Sequence, residues 1–301
     1  MQPSSADPDR PRPSASTRLS GFLHRHAGLR LLALLSAPLA WLAVAYLGAL
    51  AVMFVAAFWS VDSFTGALIR VPTMDNLKLL LEQSVYRRVA LRTLGVAVAV
   101  TVLDVALALP MALYMAKVAA PRLRGLLVAA VLTPLWASYL VKAYAWRTML
   151  SHDGVVNWAL KPLGLQGPGF GLVATTLTLA YLWLPYMILP IYAGLERIPN
   201  SLLEASADLG APAGRTLRRV VLPLLFPAVV AGSIFTFSLS LGDYITVKIV
   251  GGNTQLFANI IYDNIGVADN LPFAAAAAFF PVLVILLYLT LARRVGALDE
   301  M

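Results

Sequence analysis

Long stretches without a charge alternate with short polar connectors along this chain. Leu31–Trp59 runs 29 residues without a charged side chain, Phe170–Leu195 runs 26, Val220–Gly242 runs 23 and Leu271–Ala292 runs 22. A helix that crosses a bilayer needs about 20 such residues. Two further stretches are less uniform. Thr93–Ala116 is apolar except for Asp104 and has Pro110 as a place to bend, and Gly125–Val141 continues past Lys142 into the aromatic stretch Tyr144–Trp146. The pattern predicts six spans, at 31–59, 93–116, 125–146, 170–195, 220–242 and 271–292. Between the first two, Pro72–Val89 is mixed, with Leu77, Leu80, Leu81 and Val85 at helical spacing. That spacing predicts an amphipathic helix lying on the membrane. The expected fold class is all-α, a polytopic membrane helix bundle.

Composition agrees. Charged residues make up 13% of the 301-residue chain and hydrophobic residues 59%, against about 25% charged in an ordinary soluble domain. The basic residues Arg10, Arg12, Arg18, Arg25 and Arg30 precede the first apolar run, as in a signal peptide. That run exceeds the roughly 7–15 residues of a cleavable signal, so it is read as a retained span. The tail before it has Pro3, Pro8, Pro11 and Pro13 among serines, and this composition predicts disorder. There is no cysteine, hence no disulfide framework or thiolate, and three histidines cannot close a metal site alone. The net charge of +8 is read as basic residues flanking spans, not as a nucleic-acid surface. With the N-terminus in the cytoplasm, 14 of the 23 basic residues fall on the inner side. Arg87, Arg88 and Arg92 oppose this orientation, while the connector at 117–124, with Lys117, Arg122 and Arg124 and no acid, supports it. Both termini are then cytoplasmic. The expected division is a disordered tail (1–30), the first span with the outer amphipathic helix (31–89), a core domain (90–292) and a short tail (293–301).

Within the core, the connector at 197–223 has readable local physics. Ser201 followed by Glu204 has the spacing of a capping box and predicts the start of a short helix. Leu202, Ala205 and Leu209 share one face of it, and Glu204 and Asp208 share another. Gly210 suits the left-handed residue that ends a helix, and Pro212 suits the first turn of the next. Arg215, Arg218 and Arg219 gather near that helix's end, and a span begins near Pro223.

These residues resemble the cytoplasmic loop motif of binding-protein-dependent ABC importer permeases, Glu-Ala-Ala, three residues, Gly, then Ile-x-Leu-Pro. Here it reads Glu204-Ala205-Ser206, Gly210-Ala211, then Val220-Val221-Leu222-Pro223. Ser206 departs from alanine, Val220 from isoleucine, and Leu217 from a common phenylalanine. The resemblance implies a type I ABC importer permease fold whose first short helix docks on a separate ATPase dimer. Glu204, Ala205, Ser206, Asp208, Gly210 and Ala211 would lie at that contact. It also implies a bacterial inner membrane, a second homologous permease as heterodimer partner, an extracytoplasmic binding protein, and no nucleic acid. A second resemblance covers about 90–292. Trp136–Trp146, Gly154-Val-Val-Asn157, Ser240–Thr246, Val250-Gly-Gly252 and Pro272–Ala276 are similar to the spermidine/putrescine permease group. That group implies a small organic cation, a polyamine, as cargo; relatives that move other small organic ions share much of the pattern.

The residues test the cargo only in part. Asp243 and Tyr244 close the fifth span, where they line a gate or simply face water. Asp104, mid-span, must face the bundle or a partner, since an unpaired charge there costs about 2.5–3.5 kcal/mol. It is a structural pair or a cargo contact. Trp183 and Tyr186 in span four are packing anchors or path residues. Lys142 and Arg147 oppose a cationic path unless they snorkel to the headgroups. No Gly-Lys pair exists, so there is no phosphate-cradling loop and no cofactor is expected on this chain; ATP belongs to the partner. Gly167-Pro-Gly-Phe-Gly171 follows no strand and is read as a turn. No catalytic motif points to an enzyme. A gradient-driven carrier would call for inverted repeats and charged couplers within the spans; the chain shows no repeat and few buried charges.

Overall fold

The computed structural model describes residues 27–294 except residue 63. The expectations for 1–26 and 295–301 lie outside them. The chain separates into two units, residues 1–55 and 56–301. The first holds helix α1, Ala27–Leu42, which continues through a π-turn (Ala43–Leu47) into Gly48–Ala56. Helix therefore starts before residue 31, inside the expected tail. The stretch from residue 35 to 55 is almost wholly exposed, as suits a helix surrounded by lipid.

The second unit begins with a two-stranded ribbon, β1 (Ser60–Val61) antiparallel to β2 (Leu68–Ile69). Helix α2 (Asp75–Glu82) follows, then α3 (Ser84–Val118), which is one long span ending in a π-turn at Tyr114–Val118. The amphipathic segment expected over 72–89 is thus cut at Gln83, whose extended backbone separates α2 from α3. Leu80 packs against the cluster of Val89, Phe257 and Phe273, and this segment lies within the second unit. Helix α4 (Pro121–Trp136) is followed by helix α5 (Tyr139–Leu150), and the chain bends by 94° between Pro121–Trp136 and the segment Tyr139–Leu163. The third span expected over 125–146 is not one helix. Pro134 removes an intrahelical donor just before the break, and Ala137 and Ser138 take extended backbone angles. The short helix α6 (Val155–Leu160) precedes the glycine-rich stretch at 167–171, an irregular turn tied by Gly167 N–H to Asn157 Oδ1 (2.7 Å) and Gly171 N–H to the Val250 carbonyl (3.0 Å). Then come α7 (Leu172–Arg197), α8 (Asn200–Asp208), α9 (Ala213–Gly242, with a π-turn at Leu217–Val221), α10 (Ile245–Val250), α11 (Phe257–Gly266) and α12 (Leu271–Arg294). Arg293 and Arg294, expected in the tail, are helical.

Among the described residues, five helices are long and apolar enough to cross a membrane, or six if the bent stretch from Pro121 to Leu163 is counted as one span. The core is the packing of α3, α7 and α9. Ala108, Ala112 and Met115 from α3 meet Met187, Ile188, Ile191 and Leu195 from α7 and Leu225 from α9. Without a hydrophobic drive between helices in lipid, such packing depends on small residues that let backbones approach. Gly232 shows this: a Cβ there would lie 2.8 Å from the Met187 sulfur and 3.2 Å from its Cα. The alanine run serves the same end, with Ala274–Ala277 at most 2% exposed.

Candidate functional site: an elbow between two spans and a cavity at the end of one

The connector from α7 to α9 forms an elbow. Helix α8 starts at Asn200, with Pro199 at the cap and no side-chain cap bond. The expected Ser201–Glu204 capping box therefore does not form. Instead the Lys117 ammonium, from the end of α3, donates to the Ile198 carbonyl (2.7 Å) and to Asn200 Oδ1 (3.1 Å). A neighbouring span, not a local cap, sets where α8 begins. Its other end is locally determined. Gly210 N–H donates to the Ala207 carbonyl (2.8 Å) and Ala211 N–H to the Ser206 carbonyl (3.1 Å), with Gly210 at φ +74°. This is the Schellman pattern, which places the left-handed residue just past the helix. Pro212 caps α9 from outside its first turn.

The two faces of α8 differ. Leu203 packs into the three-helix core, above a space of about 350 Å³ bounded also by Leu195, Ala207, Ala211 and Leu217. Ser206 Oγ lies 2.8 Å from Thr216 Oγ1, stitching α8 to the start of α9. Leu202, Ala205 and Leu209 share the other face, as their spacing predicts, and all three are exposed, Leu209 to 88%. Glu204, Asp208 and the three arginines at 215, 218 and 219 are exposed beside them. Burying a leucine is worth about 1.5–3 kcal/mol over leaving it exposed. The elbow thus combines an inner face pinned to two spans with an apolar outer face.

A second constellation lies where α9 ends. Asp243 is 7% exposed, so it does not face water. Its Oδ1 accepts the Thr246 N–H (2.8 Å), and its Oδ2 accepts the Thr246 hydroxyl (3.2 Å) and the Tyr139 hydroxyl. The Tyr139 ring stacks on Trp183, with centroids 6.0 Å apart. The row continues from Trp183 to Tyr186 (6.0 Å) and from Tyr186 to Phe235 (6.3 Å). Tyr139, Trp183, Ser238, Asp243 and Tyr244 line a cavity of about 300 Å³. Of the candidate path residues, Asp243, Tyr244 and Trp183 come together here and Tyr186 adjoins them. Tyr244 also stacks on Tyr262 (4.4 Å).

Asp104 does not line this cavity. It is fully buried in the bundle, and among the described residues neither carboxyl oxygen has a hydrogen-bond partner. Arg147 does not line it either: its guanidinium donates to the Ile249 carbonyl (2.8 Å) and covers the Phe170 ring (5.3 Å). Tyr139 and Thr246 are the site residues that sequence reasoning missed. Both lie in the stretches that carry the second resemblance, but nothing along the chain shows that residues 104 positions apart share a hydrogen bond.

Comparison with known proteins places these features. Residues 29–297 match the family described as binding-protein-dependent transport system inner membrane component. The inner membrane ABC transporter permease protein YdcU of Escherichia coli K12 is 42% identical, covering 94% of this chain and 95% of its own. The spermidine/putrescine transport system permease protein PotB of Salmonella typhimurium SL1344 is 30% identical, covering 75% and 80%. Among solved structures, a bacterial alginate ABC transporter chain superimposes with a TM-score of 0.67 at 18% identity, over 92% of this chain and 98% of that one. A chain of the MetNI methionine ABC transporter gives 0.55 at 19%, over 74% and 97%. These establish the type I importer permease fold. The chain belongs to the family of binding-protein-dependent transport system inner membrane components, and is a multi-pass permease of the ABC importer class.

Proposed function

We propose that this permease carries a small organic cation, a polyamine of the spermidine/putrescine type, and is driven by a separate ATPase dimer at the 197–223 elbow. The observation that carries the coupling reading is the two-faced helix α8. Its inner face is tied to α3 and α9 through Lys117 and Ser206, and its outer face offers Leu202, Ala205 and Leu209 to solvent. Glu204, Ala205, Ser206, Asp208, Gly210 and Ala211 are the contact residues in this reading. With the N-terminus and C-terminus cytoplasmic, the elbow faces the cytoplasm, where an ATPase resides, and the Asp243 cavity faces outward. A second homologous permease completes the pathway as a heterodimer, and an extracytoplasmic binding protein delivers the cargo. ATP binding closes the ATPase dimer, the dimer displaces α8, and the pinned spans follow; the cycle is a shift between two access states that both ATP and cargo bias.

Polyamine as cargo draws on two supports. One is the PotB likeness at 30% identity. The other is the chemistry of the cavity, where a buried carboxylate adjoins aromatic faces, the combination an alkylammonium favours. Asp243, Tyr244, Trp183 and Tyr186 are its path residues; Asp104 is assigned to the bundle interior. Neither Lys142 nor Arg147 lines the cavity, which removes the main electrostatic objection.

The test is copurification and uptake with Glu204→Lys. Reversing that exposed charge should leave membrane insertion intact while abolishing ATP-dependent uptake and capture of the ATPase. Uptake at the parent level, or a purified complex without any nucleotide-hydrolysing subunit, would count decisively against the coupling reading.

A further inference from the structure

The break in the third span and the hydrogen bonds on Asp243 meet at Tyr139. Asp243 is nearly fully buried, yet among the described residues it forms no ion pair. Its hydrogen-bond donors are Tyr139 and Thr246, both uncharged. Burying a carboxylate without a cation is unfavourable and leaves it receptive to one. The donors differ in origin. Thr246 sits three residues away in the same turn and moves with Asp243. Tyr139 comes from α5, the third residue past the helix end at Trp136, where the chain bends by 94°. It is the donor that can leave without unfolding the turn.

We propose that Tyr139 is the latch of a site selective for primary ammonium groups: its hydroxyl holds on Asp243 the place that a cargo ammonium takes, and the break at 137–138 lets it withdraw. This rests on reading the cavity as part of the cargo path. Three observations support it. Replacing a neutral hydroxyl by an ammonium makes the hydrogen bond to Asp243 charged on both sides, and such bonds are shorter and stronger. The Tyr139 ring covers Trp183, so its withdrawal bares an indole face, the strongest of the aromatic cation partners. The cavity, at about 300 Å³, lies at the small end of the range for small-molecule sites. That suits an alkylammonium chain, and the carboxylate opposes an anion.

The chain has no cysteine, which makes an introduced thiol at Ser238, in the cavity wall, a clean reporter. Membranes holding the full-length Ser238→Cys protein are treated with two thiosulfonates of similar size, one bearing an ethylammonium and one an ethylsulfonate. Rates are normalised to a free thiol. The cationic reagent should react about tenfold faster or more, the range expected for a cleft of one charge sign. Adding Asp243→Asn should bring the ratio near one. Adding Tyr139→Phe instead, which keeps the ring on Trp183, should raise both rates while preserving the ratio, and 1,4-diaminobutane should then protect the thiol where a dicarboxylate of equal length does not. A ratio near one with Asp243 intact overturns the site. An unchanged rate in Tyr139→Phe overturns the latch. The measurement needs neither ATP nor uptake, so its failure is distinguishable from failure of the polyamine assignment. Loss of polyamine uptake with the charge ratio intact would overturn the cargo alone.

Discussion

Gly210 offers a way to test the elbow by conformation alone. Its φ of +74° lies in the left-handed region, and a Cβ built there meets nothing within 4 Å. Substitution therefore introduces no clash, only the backbone preference of an L-residue, about 1–2 kcal/mol against the left-handed conformation. That corresponds to a factor of about 5–30 in the population of the native turn. The turn carries the two hydrogen bonds that end α8 and direct the chain into α9, so its loss frees the outer face from the spans. Gly210→Ala should lower ATP-dependent uptake in proteoliposomes several-fold at unchanged membrane levels. Gly210→Val, branched at Cβ, should abolish it. Gly210→Asn, which tolerates the left-handed region better than other side chains, should retain most of it. The ratio of uptake to ATP hydrolysis is the sensitive readout, because a turn that flexes transmits less motion per cycle. Equal uptake by the alanine, valine and asparagine variants would refute the claim that this geometry transmits work.

Two further substitutions probe the bundle. Gly232→Ala places a methyl within 3.2 Å of the Met187 backbone at the α7–α9 crossing, and overpacking of this kind costs about 1–3 kcal/mol; a thermal-unfolding midpoint in detergent equal to the parent's would disprove the tight approach. Asp104→Leu removes a buried carboxyl whose oxygens have no partner, and deleting an unsatisfied group is neutral or stabilising. The expected midpoint is at or above the parent's, and a clear drop would mean that Asp104 is paired in the assembled transporter.

The spans were legible because lipid imposes a length and a composition on any helix that crosses it. Four of the six expected spans are uninterrupted runs and needed only charge counting. The third did not: Pro134 marked a weak point in the helix, but the bend at 137–138 is set by where α5 packs, against α7 and α10. The α8–α9 elbow was legible in its glycine stop and in the stripe Leu202, Ala205, Leu209, both local properties. The start of α8 was not legible, because a capping box is a local signal, and Lys117, reaching in from the end of α3, bonds the residues that begin the helix.

The amino-acid order alone determined which stretches are apolar enough to cross a membrane, where the chain turns between two of them, and that this turn resembles the family's loop motif, since each follows from residues within a few positions of one another. Only the tertiary structure decided which charges are buried and what they touch. Asp243 and Asp104 are both acidic residues at or within spans, yet Asp243 is clasped by Tyr139 from a broken helix while Asp104 has no hydrogen-bond partner among the described residues. The physical reason is that burial and hydrogen bonding depend on which helices come together, and helix packing is a property of surfaces far apart in sequence.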